Sequence, residues 1–182
     1  LVIADVETGR VLTRIEFPEP NKPVRDLQFS KTGESLLTLF NDRFIVYRTS
    51  DWIICQEVRL PNENAGQFKL STDGSSIVVV SESTLLFFNA NTFDLQQSFS
   101  AYDGTFSTVG TSVSGQFFAA GYSDGTTQLV NADSLTSIAV LRGHRASIQR
   151  IVFLNNDRTL MTSDGDGVVR LWDVTSHREL GI

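Results

Sequence analysis

At 182 residues, with 41% hydrophobic and 20% charged side chains, the chain has the length and balance of a folded globular domain. The longest apolar runs, such as Ile77–Val80, fall far short of the ~20 residues of a membrane-crossing helix. A net charge of −6 argues against binding the phosphate backbone of nucleic acid, which needs clustered Lys and Arg.

Cys55 is the only cysteine, which excludes an internal disulfide and a cysteine-built metal site. It points to a reducing compartment, and the expected location is cytoplasmic. His144 and His177 are the only histidines, too few for a three-histidine metal centre. No metal or cofactor is expected.

In chain order, the first residues read as part of a repeating unit. Leu1–Val6 has the pattern of a strand, and Glu7–Arg10 that of the turn after it. A complete unit spans residues 22–60, with a first strand that runs into Ser30-Lys-Thr-Gly33 and a third strand over Phe44–Tyr47. The next, 63–100, repeats this with Ser71-Thr-Asp-Gly74, the β-branched run Ile77–Val80 and a third strand over Leu85–Phe88. Unit 103–142 has Ser112-Val-Ser-Gly115, then Phe117–Ala120 and Thr127–Val130. Unit 145–182 has Leu154-Asn-Asn-Asp157 and Val169–Trp172.

Two anchors drift together along these units. Gly33, Gly74, Gly115 and Asp157 are spaced 41, 41 and 42 apart, and Tyr47, Phe88, Val130 and Trp172 are spaced 41, 42 and 42 apart. Short strands with turn residues between them, and no long stretch of helical period, make the chain all-β. A ~42-residue period of four strands predicts a β-propeller of four-stranded antiparallel blades, whose faces are buried only by stacking on their neighbours. The expectation is one propeller over 1–182: a partial blade at 1–19, then blades at 22–60, 63–100, 103–142 and 145–182. A ring of seven such blades needs roughly 294 residues. Residues outside this chain, or a second chain, are therefore expected to close the ring.

The last unit carries a Gly143-His144 pair, an Asp-Gly turn within Asp164-Gly-Asp-Gly167 and a Trp172-Asp173 ending. In that order these resemble a WD40 repeat, and the period extends the resemblance over nearly the whole chain. The resemblance implies a structural tetrad in which His144 links through Thr162 and Asp166 to the indole of Trp172. It also implies that the other blades lack the tetrad: Asn41, Glu82 and Asp124 take the Asp place and Tyr47, Phe88 and Val130 the Trp place. Those blades must rely on apolar packing, which the 13 Phe residues supply.

Catalytic constellations are poorly served. An EF-hand counted from Asp164 would need Gly and Glu where Val169 and Thr175 stand. Gly110–Gly115 lacks the nucleophile-elbow spacing. The chain is expected not to be an enzyme, and its partners are expected to be proteins or peptides, with neither nucleic acid nor membrane among them. In proteins of the resembled family, partners commonly use the loops before first strands and between second and third strands. Here that rim comprises Asn64, Glu82, Tyr102, Asp103, Ser123, Arg142, Arg145 and Gly165. The leading expectation is an interaction scaffold within a larger complex. The alternatives are a sensing propeller fused to a P-loop ATPase or a protease, and a propeller enzyme whose site lies in other blades.

Overall fold

The computed structural model describes residues 1–17, 22–101 and 104–181. Among them there are strands and turns but no α-helix, so no helix is long and apolar enough to cross a membrane.

The strands form one two-stranded and four four-stranded antiparallel sheets. Strands β1 (Val2–Ala4) and β2 (Val11–Arg14) pair alone. The first full blade holds β3 (Asp26–Phe29), β4 (Ser35–Leu39), β5 (Arg43–Arg48) and β6 (Ile54–Arg59). The second holds β7 (Ala65–Leu70), β8 (Ser76–Ser81), β9 (Thr84–Asn89) and β10 (Leu95–Ser100). The third holds β11 (Phe106–Thr111), β12 (Phe117–Tyr122), β13 (Thr127–Asn131) and β14 (Ser137–Leu141). The fourth holds β15 (Ile148–Leu154), β16 (Thr159–Asp164), β17 (Val169–Asp173) and β18 (Glu179–Gly181). Each full blade is a meander in sequence order, and first strands of adjacent blades pack on one another. The fold is an all-β propeller arc.

The core lies between sheets. Successive side chains of a strand point to opposite faces, so a strand apolar at every position serves two neighbours. Strand β8 does this: Ile77 and Val79 join a cluster with Leu39, Phe44 and Val46 of the first blade, while Val78 and Val80 join one with Phe106, Val109 and Phe118 of the third. Alternation continues in β12, where Phe118 and Ala120 face the second blade and Ala119 faces the fourth. Ile3 of the two-stranded sheet and Ile15, just after it, cover the remaining face of the first blade beside Leu36, Ile45 and Tyr47. At about 1.5–3 kcal/mol for each large side chain buried, these interfaces are the main stabilising term.

A serine shapes the turn after the first strand in three blades. The hydroxyls of Ser30, Ser71 and Ser112 accept the backbone N–H groups of Ser35, Ser76 and Phe117 at 3.0, 2.9 and 3.0 Å. Each turn closes on a glycine of positive φ, Gly33, Gly74 or Gly115. The fourth blade departs from this. Asn155, Asn156 and Asp157 all have positive φ (52°, 52° and 65°), and Asp157 stands where the others have glycine. Its carboxylate accepts the N–H groups of Val113 and Ser114, in the third blade, at 2.7 and 2.8 Å. Those bonds offset the strain of its positive φ.

The third and fourth blades also approach closely. A Cβ placed on Gly121 would lie 2.7 Å from Ile148 Cγ2, and one on Gly110 would lie 2.6 Å from Ile151 Cγ2. Only hydrogen fits there, so these two strand glycines set the spacing of the blades.

Candidate interaction surface

The polar interior of the fourth blade sits beneath an exposed loop. His144 is buried, and its Nδ1 lies 2.8 Å from Asp164 Oδ2 and its Nε2 2.7 Å from Thr162 Oγ1. The indole Nε1–H of Trp172 donates to the same Thr162 Oγ1 at 2.8 Å. With a neutral imidazole, one arrangement satisfies every group: Trp172 donates to Thr162, the Thr162 hydroxyl to His144 Nε2, and His144 Nδ1–H to Asp164. The network ties the segment before β15 to β16 and β17.

The carboxylate in this network is that of Asp164, which corrects the expectation of Asp166. Asp164 ends β16 opposite Ile148 and points inward, whereas Asp166 is exposed on the turn. The contribution of Asp166 is its backbone N–H, which donates to Asp164 Oδ1 at 3.1 Å, alongside that of Val168 at 3.0 Å. Burial pushes the Asp164 carboxyl up, but the bonds from His144, Val168 and Asp166 outweigh it and hold the group below the ordinary carboxylate range.

Register corrects the other blades in the same way. Tyr122 lies opposite Phe106, and Ser81 opposite Ala65, as Asp164 lies opposite Ile148. The inward place therefore belongs to Tyr122 in the third blade and Ser81 in the second, not to Asp124 and Glu82. Burial, with the nearby Asp124 charge, pushes the Tyr122 phenol up to about 12, and it donates to Gln128 Oε1 at 2.6 Å. The Trp172 place is held by the buried apolar rings or side chains of Tyr47, Phe88 and Val130.

The loops before first strands and between second and third strands meet at one end of the sheets. Backbone bonds join them: Ala65 N–H to Asn41 O, Phe106 N–H to Glu82 O, Ser123 N–H to Thr105 O and Gly165 N–H to Ser147 O, at 2.7 to 3.1 Å. The first two cross from one blade to the next. Asn64, Glu82, Ser123, Arg142, Arg145 and Gly165 are all exposed there, while Tyr102 and Asp103 lie outside the described residues. Glu82 occupies a tight turn with φ 47°. Burial raises the Asp124 carboxyl, but bonds from Thr126 and the Arg142 charge bring it below its ordinary value. Neither Arg142 nor Arg145 forms a salt bridge among the described residues. No group of three or more His, Cys, Asp or Glu among the described residues could hold a metal ion.

Several inter-blade contacts escaped the sequence reading. Asp26 Oδ2 accepts Phe68 N–H at 3.1 Å and Gln28 Oε1 accepts Leu70 N–H at 3.3 Å, so first-blade side chains hold the second blade's first strand. Asp157 does the same between the third and fourth blades. Its signal was in the spacing, as the one non-glycine at a glycine place.

Comparison with known proteins agrees with this geometry. The family model for "WD domain, G-beta repeat" matches residues 135–173, which contain Gly143-His144, Thr162, Asp164 and Trp172. Solved structures share the fold along most of the chain. A chain of a mitotic checkpoint complex superposes with TM-score 0.87 and 12% identity, covering 98% of this chain and 58% of that one. The WD40 repeats of RRP9 superpose with TM-score 0.80 and 15% identity, covering 89% and 51%. The chain has the fold of WD40 β-propellers, and its last blade matches the family's repeat.

Among curated proteins, apoptotic protease-activating factor 1 of Rattus norvegicus is 23% identical over 157 residues, 85% of this chain and 12% of that protein. ASTRA-associated protein 1 of Pyricularia oryzae is 42% identical over 40 residues, 22% of this chain and 8% of that protein. The chain thus spans a small part of the length of these relatives.

Proposed function

We propose that the chain is a non-catalytic docking platform, with the loop rim of the propeller binding protein or peptide partners inside a larger assembly. The observation that carries this reading is the pairing of a rigid base with exposed charge. Arg142 and Arg145 flank a buried histidine whose hydrogen bonds hold the loop in place. Guanidinium groups presented from a fixed loop can grip carboxylates bidentately without a large ordering cost. Two of the structural neighbours come from protein complexes or bear names of WD40 repeats, which supports the same reading.

The test is affinity capture by the complete protein and by an Arg142→Gln/Arg145→Gln variant, with melting curves recorded for both. Loss of partners at unchanged melting temperature is the expected outcome. Full retention of every partner by the variant removes the assignment to this rim.

A second reading is supported by the match to a protease-activating factor over 85% of the chain. On that reading the propeller senses a partner for a multidomain signalling protein. A signalling domain encoded next to the propeller, whose activity changes when the rim is occupied, is the expected finding. We propose a cytoplasmic location as well, in keeping with Cys55, a free and exposed thiol.

A further inference from the structure

We propose that the concave wall formed by β3, β7, β11 and β15 seats an extended, carboxylate-rich segment of a protein partner. This rests on the docking reading above and supplies the partner's chemistry. The wall bounds a cavity of about 920 Å³, to which all four full blades contribute. Three of them bring a cation: Arg25 before β3, Lys69 on β7 and Arg150 on β15. Lys69 and Arg150 form no salt bridge among the described residues, and the Arg25 guanidinium donates to the neutral side-chain oxygen of Asn41.

The same wall has two acids. Asp26 is committed to backbone, accepting Leu27 N–H at 2.9 Å and Phe68 N–H at 3.1 Å, and Glu82 stands on its turn at the rim. Three cations against two carboxylates line this concave surface, a local excess of positive charge in a chain whose net charge is −6. Such a surface concentrates positive potential and favours an anion that can meet cations on separate strands. An extended peptide presents side chains at a spacing that does this. A nucleic acid fits less well. The wall's aromatic ring, Phe106, is buried and offers no face for base stacking.

Fluorescence anisotropy on the complete protein tests this with labelled octaglutamate, octaglutamine and oligothymidine probes. Octaglutamate is expected to bind, and to bind at least about tenfold more weakly to an Arg25→Gln/Lys69→Gln/Arg150→Gln variant. Should that variant melt early, Lys69→Gln and Arg150→Gln alone are each expected to weaken binding about two- to fivefold. No binding of octaglutamate, equal binding of octaglutamine, undiminished binding by the variants, or tighter binding of oligothymidine overturns the proposal. Partner capture that depends on Arg142 and Arg145, without octaglutamate binding, would leave the docking reading intact and remove this one alone.

Discussion

Equivalent strands of the second and fourth blades solve one packing problem in two ways. In the second, Phe88 sits 2% exposed in a wholly apolar cluster, edge-on to Phe44 of the first blade with ring centroids 5.3 Å apart. In the fourth, Trp172 fills the corresponding place, 4% exposed, and adds a hydrogen bond that starts a chain of four side chains. The apolar version gains from burial alone and tolerates drift in sequence, because many side chains of similar volume will serve. The polar version requires four matched residues at once, since any one removed leaves a buried group without its partner. This is why the family signature is sharp in the last blade and faint elsewhere. Blades that bury aromatic rings need no such signature.

The largest expected effect tests the apolar side. Phe88→Ala removes the ring that joins the first and second blades and should cost about 3–5 kcal/mol, read as a lower urea midpoint at unchanged slope. A loss under about 1 kcal/mol would mean that the second blade is held by something other than this interface. Next comes the close approach of the third and fourth blades. Gly121→Ala should cost about 1–3 kcal/mol, because the new methyl meets Ile148 at 2.7 Å. Combined with Ile148→Ala, the loss should be smaller than the two single losses added, and strict additivity would show that the two residues do not meet.

On the polar side, Trp172→Phe keeps most of the ring but deletes the Nε1–H donor to Thr162. The expected loss is about 1 kcal/mol, or roughly 2–4 °C in melting temperature. A variant as stable as the parent would reduce the network to a bystander of packing.

The fold was legible because two unrelated anchors, the turn positions from Gly33 to Asp157 and the third-strand positions from Tyr47 to Trp172, kept the same period of 41 to 42 residues. Period alone locates a blade but does not say which side chains point inward. Asp164-Gly-Asp-Gly167 offers two carboxylates, both with the right chemistry, and the choice between them depends on strand register. A bulge between Ile148 and Arg150 sets that register. The two acids are two positions apart, so strand alternation alone does not separate them; β16 ends at Asp164 and leaves Asp166 on the turn, an end point that no count along the sequence reveals. The bonds of Asp26 and Gln28 across blades were hidden for a related reason. They depend on how far one sheet is offset from the next, a quantity that no single repeat encodes.

The smallest expected effect bears on that choice directly. Asp166→Asn should leave stability within about 0.5 kcal/mol of the parent, because the side chain is exposed and only its backbone N–H reaches the network. Asp164→Asn should lower the melting temperature, because the amide cannot replace a carboxylate that accepts from His144, Asp166 and Val168 together. Acid adds a second handle. The Asp164 carboxyl lies below its ordinary value of 3.8 in the folded protein, so its contribution is complete above that pH and is lost as the pH falls through the folded value. Asp164→Asn should therefore remove part of the stability change below about pH 4, while Asp166→Asn retains it. If the two variants behaved in the opposite sense, the inward carboxylate would be that of Asp166, and the register of β15 against β16 would have to shift to bring it there.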